Sequence, residues 1–265
     1  MAMDLKVTII QSMLHWENGE ENLAMFAQKM ASISKPTDVI VLPEMFNTGF
    51  SMLSQKMAEN MDGKTVVWMK AQAKKSNAVV TGSLIIEENN EYYNRLIWAQ
   101  PDGIIYTYDK RHLFRMADEH KSFSSGKNRI IISYKGWRIC PMICYDLRFP
   151  VWSRNSSKSE TPAYDVLIFI ANWPEVRKMH WIKLLEARAI ENQCYVVGVN
   201  RIGEDENGFS YSGNSAVINY LGETMVNTPE KVSFEEKVSL SLSDLNDWRE
   251  KFPLSLDGDE FNIIH

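Results

Sequence analysis

The feature that most constrains the fold is a set of short, uninterrupted apolar runs: "VIVL" at 39–42, "DVLIFIA" at 165–171 and "CYVVGVN" at 194–200. Each is short and rich in β-branched residues, and none alternates with polar ones. Each therefore predicts a strand covered on both faces. A chain with such strands must supply layers on either side of its sheets. Residues 21–33 place Leu23, Phe26, Met30 and Ile33 at helical spacing, and 65–77 and 179–192 also read as helices. Further strands are expected at 6–11, 78–87 and 232–242. Hairpins should join 92–100 to 103–108 around "QPDG", 129–134 to 137–143 around Lys135-Gly136, and 215–220 to 223–226 around Leu221-Gly222. A short helix fits 245–251, "NSSKSETP" at 155–162 is the most loop-like stretch, and 253–265 has no clear element. The expectation is an α/β protein with two mixed sheets packed face to face, helices outside, in one domain spanning 1–265.

Composition narrows the function classes. The 265 residues are 45% hydrophobic, ample for a large core, and the net charge of -5 argues against non-specific nucleic-acid binding. No apolar run reaches the length of a membrane helix. The start "MAMDLKVTII" lacks a basic segment followed by an apolar one, so no signal peptide and a cytoplasmic address are expected. Three cysteines form no disulfide framework, and a reducing compartment suits a free thiol.

Three reactive residues share one local context. Glu44 ends "VIVLPE", Lys110 ends "GIIYTYDK" and Cys144 ends "WRICPMIC", each just past the C-terminal end of an expected strand. That edge is where sites collect in α/β sheets. Together the three form a set for acyl transfer: a thiol nucleophile, a carboxylate to take and return its proton, and an ammonium for the oxyanion. Singly, each has a plainer reading. A lone Glu or Lys is ordinarily a solvated charge, and Cys140 and Cys194, inside apolar strands, read as small core residues. The five histidines show no zinc-ligand spacing with Cys140 and Cys144. A Cys–His dyad with His112 or His180 competes in principle, but leaves Glu44 and Lys110 without a role.

The contexts carry more than the spacing. "LPEMFNTGF" (42–50), "YDKRHLF" (108–114) and "CYDLRFP" (144–150) resemble, in order, the three catalytic segments of the nitrilase, or carbon–nitrogen hydrolase, superfamily. "ANWP" (171–174) with the helix and strand after it is similar to that family's substrate-side loop, and the likeness covers nearly the whole chain. Within the superfamily the chain is most similar to the bacterial omega-amidase group, which cleaves the side-chain amide of 2-oxoglutaramate and 2-oxosuccinamate. The resemblance implies an α-β-β-α sandwich with Cys144 as nucleophile, Glu44 as general base and acid, Lys110 as oxyanion stabiliser and Glu119 as a second glutamate that positions Lys110 and substrate. It implies a homodimer or higher homo-oligomer, with the 253–265 tail along a partner subunit, and no metal or organic cofactor.

Tyr145-Asp146 after the nucleophile resembles amidases rather than nitrilases, which favour Trp-Glu there. Acyltransferase and NAD-synthetase branches would need transmembrane helices or a second domain. Tyr145 is expected to offer its backbone N–H to the oxyanion, and Phe46 and Trp173 either line the pocket or pack in the core. Asp146 and Arg148, close after Cys144, are expected either to contact substrate or to form a buried ion pair that shapes the turn or the dimer interface. A small substrate amide bearing a carboxylate needs a cation, with Arg115, Arg177 and Arg201 as candidates. An N-carbamoyl compound, a nitrile, or a non-catalytic binding member of the fold are the alternatives.

Overall fold

The computed structural model describes residues 4–33, 36–155, 162–227 and 229–263. Residues 156–161 of the expected loop lie outside the described residues. The strands are β1 (Leu5–Gln11), β2 (Val39–Val41), β3 (Val79–Glu88), β4 (Glu91–Ala99), β5 (Ile105–Asp109), β6 (Ile132–Tyr134), β7 (Trp137–Ile143), β8 (Val166–Ala171), β9 (Tyr195–Asn200), β10 (Ile202–Glu204), β11 (Ser210–Ser212), β12 (Ala216–Ile218), β13 (Thr224–Asn227) and β14 (Phe234–Leu240). The helices are α1 (Gly19–Ser32), α2 (Ser54–Met57), α3 (Lys64–Ser76), α4 (Glu119–Ser122), α5 (Pro150–Ser153), α6 (Lys178–Asn192) and α7 (Leu242–Lys251). None of the described helices is long and apolar enough to cross a membrane.

Two six-stranded mixed sheets form, in the orders β14-β1-β2-β3-β4-β5 and β13-β12-β9-β8-β7-β6. The apolar runs are continuous because each side of a strand meets a different apolar layer. In the first sheet Val7, Ile9, Val39, Val41, Leu96 and Trp98 face the second sheet. Their neighbours Ile10, Ile40, Leu42, Ile97 and Ala99 face α1 and α3, against Phe26, Met30, Val66 and Met69. The period of two divides one run between two cores. On the far side α6 covers the second sheet. Gly198 permits that approach: a Cβ there would lie 2.5 Å from Leu185 Cδ1 and 3.0 Å from Trp181 Cζ2. The result is the expected α-β-β-α sandwich.

Parallel pairing sets the site's edge. β1, β2 and β3 run parallel, β4 reverses and β5 reverses again, so β2 and β5 end on the same side. In the second sheet β7, β8 and β9 are parallel and also end together. Local chemistry fixes the ends of elements. The Asn18 side chain caps α1 by accepting from the Glu21 N–H at 3.2 Å. The turn between β6 and β7 holds Lys135 (φ 49°) and Gly136 (φ 84°), the left-handed pair a tight hairpin demands. Some expectations shift. The strand expected over 129–134 is paired only at Ile132–Tyr134. The tail carries a short 3-10 turn at Leu254–Asp257 where no element was expected.

Candidate active site

Glu44, Lys110 and Glu119 are fully buried and Cys144 is 9% exposed, and the four meet at the edge where β2, β5 and β7 end. Lys110 Nζ donates to Glu44 Oε1 at 2.8 Å and to Glu119 Oε1 at 2.9 Å. The second oxygen of Glu44 accepts the Asn172 backbone N–H at 2.8 Å, and that of Glu119 accepts the Phe114 N–H at 2.5 Å. Cys144 Sγ lies 4.0 Å from the Asn172 carbonyl oxygen.

The backbone raises the thiol. Cys144 comes directly after the last residue of β7 and opens a 3-10 turn, Cys144–Arg148, with a left-handed φ of 44°. A non-glycine residue there costs on the order of 1–3 kcal/mol, and the fold holds it by anchoring the rest of the turn. Asp146 is the anchor. Its buried carboxylate accepts from the Ile143 N–H (3.1 Å), Tyr108 Oη (2.7 Å), the His112 N–H (3.0 Å) and His112 Nδ1 (2.8 Å). The expected Asp146–Arg148 pair is therefore corrected. The Asp146 oxygens are filled by donors from Ile143 and from Tyr108 and His112 on either side of Lys110, while Arg148 lines the cavity instead. Arg148 stacks over Trp173 at 4.6 Å and bonds His180 Nδ1 at 3.1 Å.

Charge at the site is arranged around a neutral thiol. Burial and the nearby Glu44 carboxylate push the Cys144 thiol well above its ordinary value, while Lys110 pulls the other way. Burial also raises Glu119, against the pull of Lys110 and with the push of Glu44. Burial disfavours the Lys110 ammonium, but the attraction of Glu119 and Glu44 outweighs it, so the amine holds its proton more tightly than usual.

A cavity of about 290 Å³ opens beside Cys144 and Lys110. Tyr145 and Trp173 line it. Phe46 does not. It is fully buried against Phe26 and Trp68, because its side of the β2 edge faces the helices. Arg115 is exposed on a 3-10 turn and Arg201 is buried over Tyr211; neither lines the cavity. Arg177, the third candidate, does, with Arg148 beside it. Cys140 and Cys194 are core residues, and burial raises the Cys140 thiol to about 12.

Two residues escaped the sequence reading. Asn94 Nδ2 bridges Glu44 Oε1 (2.8 Å) and Glu119 Oε1 (3.4 Å) from within β4. Asn172 Nδ2 donates to the Glu44 carbonyl at 2.6 Å. Asn172 stands just past β8, the position that singled out Glu44 and Cys144; Asn94 sits mid-strand, where a single polar residue gives no signal.

The match to known proteins agrees with this geometry. The carbon–nitrogen hydrolase family model matches residues 6–251. The omega-amidase YafV of Escherichia coli is 45% identical over 259 residues, 98% of each chain. A 2-oxoglutaramate amidase of Bacillus subtilis is 34% identical over 226 residues, covering 84% of this chain and 86% of that one. The crystal structure of XC1258 from Xanthomonas campestris, which carries an arsenic adduct in its active site, superposes with a TM-score of 0.95 at 41% identity, covering 98% and 99% of the two chains. With an acid, an amine and a thiol converging at one strand edge of a two-sheet sandwich, this chain is a member of the carbon–nitrogen hydrolase family and a hydrolase acting on amides.

Proposed function

We propose that the protein is a thiol-dependent amidase that releases ammonia from a small, carboxylate-bearing omega-amide such as 2-oxoglutaramate or 2-oxosuccinamate. The observation that carries this is the meeting of Glu44, Lys110, Glu119 and Cys144 beside a small cavity edged by arginines. The 45%-identical omega-amidase and the 2-oxoglutaramate amidase support the substrate class.

The mechanism rests on the proton inventory. Cys144 enters as a neutral thiol, so its proton must leave as the sulfur attacks the amide carbonyl. Glu44 takes it. The oxyanion that forms is met by the Lys110 ammonium and the Tyr145 backbone N–H, worth roughly 3–4 kcal/mol each to the transition state. Glu119 and Asn94 fix the ammonium and the base relative to one another. Glu44 returns the proton to the departing ammonia, leaving a Cys144 thioester; it then takes a proton from water as the water oxygen bonds to the acyl carbon, and gives that proton to Cys144 as the C–S bond breaks and the acid leaves.

The test is ammonia release from 2-oxoglutaramate, glutamine, a nitrile and an N-carbamoyl amino acid. The reading expects 2-oxoglutaramate to be preferred and Cys144→Ala to be inactive. Faster turnover of the nitrile or carbamoyl compound, or undiminished Cys144→Ala activity, would reject it. The proposal extends to a cytoplasmic setting and a homodimer. Phe252, Leu256 and Phe261 expose apolar surface of 50%, 62% and 42% at the C-terminal end. Light scattering should give at least a dimer, which removal of residues 253–265 should weaken.

A further inference from the structure

Two guanidinium groups, Arg148 and Arg177, edge the cavity, and among the described residues no carboxylate neutralises them. Arg148 has His180 Nδ1 as a polar partner at 3.1 Å, and neither Arg148 nor Arg177 forms an ion pair among the described residues. The acid that shares the cavity wall, Asp205, is committed elsewhere. Its Oδ1 accepts the Asn207 and Phe209 N–H groups at 2.9 and 3.0 Å, and its Oδ2 accepts from Tyr211 Oη at 2.8 Å.

Both arginines are held in place by packing rather than by charge. Arg148 lies over the Trp173 ring at 4.6 Å, and Arg177 over the Phe114 ring at 5.3 Å. Trp173 links the two, because its Nε1 donates to the Arg177 carbonyl at 2.9 Å. Its own backbone N–H donates to Asn200 Oδ1 at 2.8 Å, which ties the group to the end of β9. Burial, with Arg177 nearby, shifts the Arg148 guanidinium below its ordinary value. Two like charges kept close and only partly hydrated favour an anion between them, and a carboxylate matches the planar guanidinium fork.

Resting on the amidase reading, we propose that Arg148 and Arg177, aligned by Trp173 and Phe114, form the carboxylate clamp that selects acidic over neutral amides. The acid end of the substrate is held at the rim while its amide reaches Cys144. Arg148 therefore serves specificity, and Arg115 and Arg201 do not.

The test uses 2-oxoglutaramate and the neutral pentanamide on the wild type, Arg148→Gln, Arg177→Gln and Arg177→Lys. Each glutamine variant should raise KM for 2-oxoglutaramate by about 10-fold or more, the loss of one charge-assisted contact, with little change in kcat or in pentanamide turnover. Arg177→Lys should recover part of the loss. Calorimetric binding of 2-oxoglutaramate to Cys144→Ala, with and without Arg177→Gln, reads the same contact without turnover and should show a matching fall in affinity. Unchanged binding, or an equal loss for both amides, overturns the clamp and leaves the amidase reading intact. A wild type that releases ammonia from neither amide removes the amidase reading and the clamp that rests on it.

Discussion

Cys144 must keep its proton at rest and lose it on demand, and Glu44 governs both. The carboxylate raises the thiol's pKa while standing ready to accept the proton. Glu44→Gln separates these roles. Removing the negative charge lowers the thiol pKa, so at neutral pH more thiolate is present. Iodoacetamide should therefore alkylate Glu44→Gln faster than wild type near pH 7, and its alkylation profile should midpoint at lower pH. Ammonia release should nevertheless fall by about 10²-fold or more, because the proton acceptor is gone. Equal alkylation profiles across pH 6–10 would mean that Glu44 does not control the thiol. The reactive trio was legible in the sequence because each member stands just past a strand's end, inside a segment that resembles a catalytic segment of the family. Asn94 was not, and for Arg148 the sequence left substrate contact and pairing with Asp146 both open. A lone asparagine within a strand has no periodic signature, and a sequence cannot say whether an arginine beside a nucleophile turns inward or lies against a tryptophan.

Among the elements, the turn after β7 and the loop after β5 must be fixed against each other, since one carries Cys144 and the other Lys110. Asp146 is the tie, reaching Ile143 on one side and Tyr108 and His112 on the other. Asp146→Asn places a donor where four donors converge, and should cost about 1–3 kcal/mol of stability. Well below its melting temperature the variant should still be folded, with kcat lowered for acidic and neutral amides alike, unlike the arginine variants. A wild-type kcat at that temperature would show that Asp146 serves stability alone. Long elements were readable from their periods, and three hairpins from their turn residues; the β3–β4 hairpin around Asn89 and Asn90 was not read. The short 3-10 turns, α2, α4 and the β10–β11 pair were not, because three or four residues hold too little pattern to outweigh their tertiary setting. Glu119 lies on one of these, which is why only family resemblance identified it.

At the scale of the whole molecule, the two-sheet interior is dry enough to hold titratable groups neutral far outside their usual range. Cys140, on β7, is fully buried in the core shared by the two sheets, and burial raises its thiol to about 12. In the unfolded chain the same thiol ionises near about 8.5. A group whose folded pKa is raised contributes its full share below the unfolded value and loses it as pH rises toward the folded one. For Cys140 the window runs from about 8.5 up to about 12. Within it the folded state keeps a proton that the unfolded state has released, so stability falls by about 1.4 kcal/mol per pH unit for this thiol. Between pH 8.5 and 10 that is about 2 kcal/mol. Cys140→Ala removes the slope and adds only a pH-independent packing cost. Urea midpoints under reducing conditions should therefore place the variant below wild type at pH 7.5 and narrow the gap by pH 10. A gap that stays constant over that range would mean water reaches the thiol, and the two sheets do not seal their interior.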